Sequence, residues 1–349
     1  GMIRWIKFAE VLIMGAGVAA LQFGDVYWLL GVLFLMGVQS AFFGPLKYSI
    51  LPTLLRKDEL IGGNAFVEAG TFLAILVGTI VGGLMAGWDY GVNGVAAIVF
   101  GLAVIGWICS YGIPQAPAPQ PSLKVNYNIA TQTFRIVDRI RKDRTVFRSI
   151  LGISWFWLVG IMLLTQVPNL AKSNFNADHE VITFLMVVAT VGIAIGSMLC
   201  NSLLKGEITA KYVPVAAFGM SVFLADIWFS SPDGVSSTAV TFGMFLETPA
   251  NWRVIADLLG VCICGGIFAV PLYAMMQTLS DEQERSQIVA GNNILNAVFM
   301  VAGSLLAGII LDAGYTVPDL FLTVAAANLL VVFYMQRLWR GLNSNPAAD

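Results

Sequence analysis

Apolar stretches of about 20 residues recur along this chain between short polar turns, and each is long enough to cross a hydrocarbon layer as an α-helix. Ten can be drawn, near 6–24, 28–46, 62–87, 92–112, 149–170, 181–204, 211–230, 254–278, 288–311 and 317–337. A membrane strand would need only about 10 residues, so the pattern predicts helices. The polar positions inside these stretches are few and placed. The third stretch opens with Asn64, Glu68 and Thr71 at i, i+4 and i+7, which puts them on one helix face. A carboxylate at membrane depth costs about 2.5–3.5 kcal/mol on insertion scales, so Glu68 marks a candidate site. Further along the same stretch, Gly70, Gly78 and Gly82 form a small-residue face predicted to admit a second helix closely.

The design recurs late in the chain. Pro271-Leu272 echoes Pro45-Leu46, and a charged turn follows each pair. Gly291-Asn292 then echoes Gly63-Asn64, Asn296 falls where Glu68 fell, and Gly303 and Ala307 stand for Gly78 and Gly82. Two weakly similar halves in a hydrophobic chain are the mark of a carrier built from repeats.

Composition agrees. The chain is 58% apolar and 11% charged, against about 25% charged in soluble domains, which makes it a polytopic membrane protein. A net charge of −2 gives no reason to expect nucleic acid. Cys109, Cys200, Cys262 and Cys264 all lie in apolar stretches and read as buried small residues. His179 stands alone in a polar turn, so neither a metal nor a cofactor is expected.

Charge also sets an orientation. With the N-terminus inside, every one of the 19 lysines and arginines except Lys172 and Arg253 falls on an inner loop, helix end or tail. The positive-inside rule therefore places both termini in the cytoplasm. The longest inner loop, 113–148, divides the chain into four spans (1–112) and six (149–349). It begins PQAPAPQP, a stiff spacer, and carries 7 basic and 2 acidic residues. Ile129, Thr133, Ile136 and Ile140 can share one helical face with Arg135, Arg139 and Lys142 on another. Such a helix suits either the anionic surface of a membrane or a solvated linker.

The segments FFGPLKYSILPTLL and ELIGGNAFVEAGTFLAILVGTIVGG, supported by ILGISWFWLVGIMLLTQVPNLAK, GIAIGSMLC, VPLYAMMQTLS and GNNILNAVFM, resemble the lysophospholipid transporter family of the major facilitator superfamily. The similarity is to the transporter domain that some bacteria fuse to a glycerophospholipid acyltransferase and an acyl-acyl-carrier-protein synthetase. The resemblance implies an all-α major facilitator fold of six plus six helices, of which the first two would be missing here. It also implies a non-enzymatic carrier in the bacterial inner membrane that flips lysophospholipids toward the cytoplasmic leaflet for re-acylation. Its partners would be the lysophospholipid, membrane lipids and a fused or neighbouring acyltransferase. A proton-coupled exporter on the same fold and a membrane anchor for a fused enzyme are the alternatives.

On that footing Lys47 is expected to take a lipid phosphate, or to snorkel to the interface, and Glu68 to take an ammonium, carry a proton or pair with Lys47. Tyr48, Gln39 and Gln166 complete the expected substrate-binding set. Asn64, Asn292 and Asn296, with Gly78 and Gly82, are expected at helix interfaces or a gate.

Overall fold

The computed structural model describes residues 1–86, 90–114, 128–232, 239–281 and 284–343. Among these there is no strand, and thirteen α-helices account for the architecture. The N-terminal helices are α1 (Met2–Phe23), α2 (Val26–Ser49), the short α3 (Leu51–Leu54), α4 (Leu60–Ala86) and α5 (Gly91–Cys109). The linker holds α6 (Ile129–Ile140). The C-terminal helices are α7 (Arg144–Phe175), α8 (His179–Leu204), α9 (Val213–Ser230), the short α10 (Phe242–Glu247), α11 (Pro249–Leu279), α12 (Arg285–Asp312) and α13 (Val317–Asn343). Ten of the helical segments are long and apolar enough to cross a membrane, matching the ten stretches drawn above.

Local chemistry sets several ends. Asp25, Asn128, Asp143 and Asp178 each accept a hydrogen bond from a first-turn amide, capping α2, α6, α7 and α8. Gly24, Asn176 and Lys205 close α1, α7 and α8 in the left-handed region. Several spans run longer than expected: α7 begins at Arg144 and continues through Pro168 to Phe175, and α2 continues past Pro45 to Ser49. A proline inside a span removes one backbone bond, and neighbouring helices make the loss tolerable.

Helix α11 is the hub of the C-terminal helices. It packs on α7, α8 and α9 and also meets α4. Its approach to α8 is backbone to backbone. A Cβ at Gly196 would lie 2.0 Å from the Ile263 carbonyl oxygen, and one at Gly266 would lie 2.5 Å from the Ser197 nitrogen. Helix α7 packs against α12, and α9 against α13. Among the N-terminal helices, α1 packs with α2 and α5. The two groups of helices meet through α2 on α12 and through α4 on α8 and α11. The first element of one repeat therefore contacts the second element of the other, in both directions.

The small-residue face of α4 differs from expectation. A Cβ at Gly70, Gly78 or Gly82 would meet nothing within 4 Å. These glycines line an open apolar groove of about 430 Å³ between α4 and α5, with Leu73, Val77, Ile98 and Leu102 among its walls. The echo position Gly303 behaves as predicted, because a Cβ there would come within 2.8 Å of Leu158 on α7. Cys200 and Cys262 are buried as expected, but Cys109 is exposed at the end of α5.

Candidate functional site

The charged and amide residues singled out in the sequence converge where the two groups of helices meet, in the half of the bundle nearest α6. Tyr48, in the last turn of α2, stacks on Tyr273 of α11 with ring centroids 4.5 Å apart and an interplanar angle of 8°. Its hydroxyl donates to Glu68 Oε1 at 2.5 Å. One turn before Glu68 on α4, Asn64 forms a reciprocal amide pair with Gln277 of α11. Asn64 Nδ2 donates to Gln277 Oε1 at 2.7 Å, and Gln277 Nε2 donates to Asn64 Oδ1 at 2.9 Å. Gln277 Nε2 also reaches the Tyr48 carbonyl at 3.3 Å. Both amides are fully buried, so each satisfies the other's polar groups where water is excluded.

The cluster extends to mid-bundle. Trp157 of α7 donates from Nε1 to the Tyr273 hydroxyl at 2.8 Å. Phe72 of α4 stacks on Trp157 at 6.0 Å and meets Phe156 edge-on at 6.1 Å. Among the described residues, the hydrogen bonds and ring contacts between the two groups of helices all lie between this aromatic set and the α6 end.

Lys47 and Glu68 do not form an ion pair. Lys47 Nζ donates to Thr71 Oγ1 at 3.2 Å and lies 4.9 Å from the Tyr48 ring centroid. Glu68 is 1% exposed, and its second oxygen, Oε2, has no hydrogen-bond partner. The reason is placement: a lysine at the end of α2 meets the next turn of α4, where Thr71 stands, while Tyr48 points inward to the carboxylate. Asn292 of α12 lies near the Tyr273 hydroxyl, yet neither atom of its amide makes a hydrogen bond of acceptable geometry. Orphaned buried polar atoms cost about 1–3 kcal/mol each, so Glu68 and Asn292 mark a place where this closed arrangement is less than fully satisfied.

The remaining expected residues lie elsewhere. Asn296 accepts from the Ser154 hydroxyl at 2.8 Å, tying α12 to α7 within the C-terminal helices. Gln166 lies in the far half of α7, where it accepts from Asn169 at 3.0 Å. Gln39 donates to Glu10 Oε2 at 2.6 Å, and Lys7 pairs with the same carboxylate at 2.8 Å. With Ser40 and Phe43 these residues line a cavity of about 210 Å³ between α1 and α2. Asp226 of α9 forms a two-bond pair with Arg253 of α11. That pairing accounts for one of the two basic residues that broke the charge asymmetry. Among the described residues no group of His, Cys, Asp and Glu could hold a metal ion.

Tyr273, Gln277 and Phe72 were not singled out in the sequence. The signal for the first two was present: they fall in VPLYAMMQTLS, the segment that echoes PLKYS. Nothing local marks Phe72 among 22 phenylalanines.

Comparison with known proteins adds the following. A family model described as Major Facilitator Superfamily matches residues 4–261. A Klebsiella pneumoniae protein named Lysophospholipid transporter LplT is 32% identical over 267 residues, covering 74% of this chain and 60% of the relative. Proteins of the same name from Serratia proteamaculans and Escherichia coli are each 30% identical over 267 residues, with the same coverage. The chain thus spans about 60% of the length of these relatives. Among solved structures, the transporter FucP in an outward conformation matches with a TM-score of 0.67 at 11% identity, covering 96% of this chain and 82% of that one. A bacterial homologue of the iron transporter ferroportin in an outward-facing state matches with 0.66 at 12% identity, covering 98% and 82%. At such identities the likeness concerns the fold alone.

Proposed function

The chain belongs to the major facilitator superfamily, and from that premise we propose that it moves lysophospholipids across a bacterial inner membrane. The observation that carries this reading is the 32% identity to a protein named Lysophospholipid transporter LplT over 74% of the chain. The division into helices before residue 113 and after residue 148 supplies the two lobes of a rocking carrier, and the α6 end is the cytoplasmic one. In this arrangement the lobes are shut at that end. Parting them there would release a lipid toward the cytoplasmic leaflet, where a fused or neighbouring acyltransferase would restore its second chain.

The seam offers chemistry suited to such a head group. Lys47 has one hydrogen bond, to Thr71, and an ammonium has three donors. It can take a phosphate while Glu68 Oε2, without a partner, takes an amine or hydroxyl donor. The acyl tail stays in lipid throughout, so the path needs to be polar only for the head.

The test is uptake of labelled lysophosphatidylethanolamine by vesicles containing the gene product that carries this chain. The expected result is accumulation in the leaflet on the α6 side. Transport of solutes with a pH gradient and none of the lysolipid would overturn the reading in favour of a proton-coupled exporter. The same vesicles report orientation. A cysteine replacing Lys172 should react with an impermeant thiol reagent from outside, and one replacing Asp138 only after the membrane is opened.

A further inference from the structure

Helix α6 has two faces, and protein covers one of them. Ile136 and Ile140 are buried against α12, where Gly291 leaves so little room that a Cβ would lie 3.0 Å from a methyl carbon of each. At the edge of that face Arg139 donates to Gln287 at 2.9 Å and pairs with Glu284 at 3.4 Å. The opposite face is bare. Arg135 is exposed on it, and the face runs on into exposed Arg141, Lys142 and Arg144. Beside Arg135, at the N-terminal edge of this basic surface, Phe134 is 76% exposed.

Two acidic residues share the surface, Asp138 and Asp143. Asp143 is engaged at the start of α7, accepting from the Thr145 and Val146 amides at 2.7 and 2.9 Å. Four basic residues against two acidic ones, one of them occupied, leave the surface cationic. A face meant only for water tolerates an uncovered phenyl ring but gains nothing from it. A helix lying in a membrane interface does gain: the ring enters the acyl boundary while the basic side chains reach phosphates. Helix α6 also stands where the spans emerge from the membrane, since its last residue is four before the start of α7.

We propose that this exposed face of α6 docks on the anionic phospholipid headgroups of the membrane the chain spans, with Phe134 inserted and Arg135, Arg141 and Lys142 on the phosphates. Docking fixes more than the linker. The buried face of α6 grips Gly291, and the next residue, Asn292, lies beside Tyr273 at the seam. The membrane surface thereby holds α12 at the point where the lobes part.

Amide hydrogen exchange of residues 129–140 tests this, on the full chain in nanodiscs of neutral lipid and of neutral lipid mixed with phosphatidylglycerol. Exchange should be slower by at least about tenfold in the anionic discs, given three basic side chains at the surface. High salt should remove most of the difference. So should the triple variant R135Q/R141Q/K142Q, whose side chains are exposed; exchange in α9 serves as the check that the variant is folded. Equal rates in the two lipids would overturn the proposal. A difference that survives both salt and the triple variant would overturn it too, because the protection would then come from protein packing. The salt arm needs no variant and decides the matter even if the variant folds poorly.

Discussion

Tyr48 joins three parts of the seam at once: its ring stacks on Tyr273, its hydroxyl serves Glu68 and its carbonyl receives Gln277. Tyr48→Phe deletes only the hydroxyl and leaves Glu68 without a hydrogen bond. In a cycle with Glu68→Gln, thermal unfolding in nanodiscs should show a coupling of about 0.5–2 kcal/mol between the two sites. Additive effects would mean that the short contact contributes nothing. Lys47→Ala and Glu68→Ala should each remove most lysolipid transport while the yield of folded protein is kept. Normal activity per folded molecule in both would eliminate this head-group site. Lys47 and Glu68 were legible in the sequence because a charge in hydrocarbon is rare and therefore conspicuous. Their partners were not. Tyrosine and glutamine carry no such penalty, and what makes Tyr273 and Gln277 matter is a contact more than 200 residues away along the chain. The same blindness to distance grouped Gln39 and Gln166 with Lys47, although one serves Glu10 and the other Asn169.

Among the elements, glycine separates what sequence can and cannot show. Every span was visible, because hydrocarbon demands a helix of a certain length and forbids unsatisfied backbone. Which glycines touch a neighbour was not visible, since a small residue looks the same against a helix or against a groove. The contrast is measurable. Gly196→Ala drives a methyl into the Ile263 carbonyl and should destabilise by about 1–3 kcal/mol or more. Gly78→Ala meets nothing within 4 Å and should be neutral or slightly stabilising, because alanine is the better helix former by about 1 kcal/mol. Melting temperatures of the two variants in nanodiscs check both, and equal shifts would contradict the packing described for α8 and α11. The repeat pattern pointed to Gly303 and Gly78 as equivalents. Their different surroundings show that a shared pattern records a shared helix, with no guarantee of a shared neighbour.

At the scale of the whole molecule, the crossed contacts α2 on α12 and α4 on α11 set the two repeats face to face. The internal echo in the sequence hinted at this arrangement, but the pairing across the seam joins residues more than 200 positions apart and leaves no local mark. Bridging Asn64→Cys and Gln277→Cys with a short bifunctional thiol reagent, in a background with Cys109→Ser, should hold the α6 end shut and stop transport. A reductively cleavable bridge should restore transport when cut. Undiminished turnover with the bridge in place would mean that the amide pair does not part during the cycle.

Phe72, the thirteenth of 27 residues in α4, makes the ring contacts between the two groups of helices that lie farthest from the α6 end, and apolar packing continues past it to Leu76 and Ile80. At 1.5 Å per residue it lies about 20 Å from either end of the helix. A rocking motion pivoting on Phe72, Phe156 and Trp157 would have arms of nearly equal length. A rotation on the order of 15°, as in known subunit rotations, would move each mouth by about 5 Å in opposite senses. The area the protein takes from one leaflet would then be returned to the other. To first order a uniform tension in the bilayer would do no net work on such a carrier, whereas an imbalance of lipid between the leaflets would push it one way.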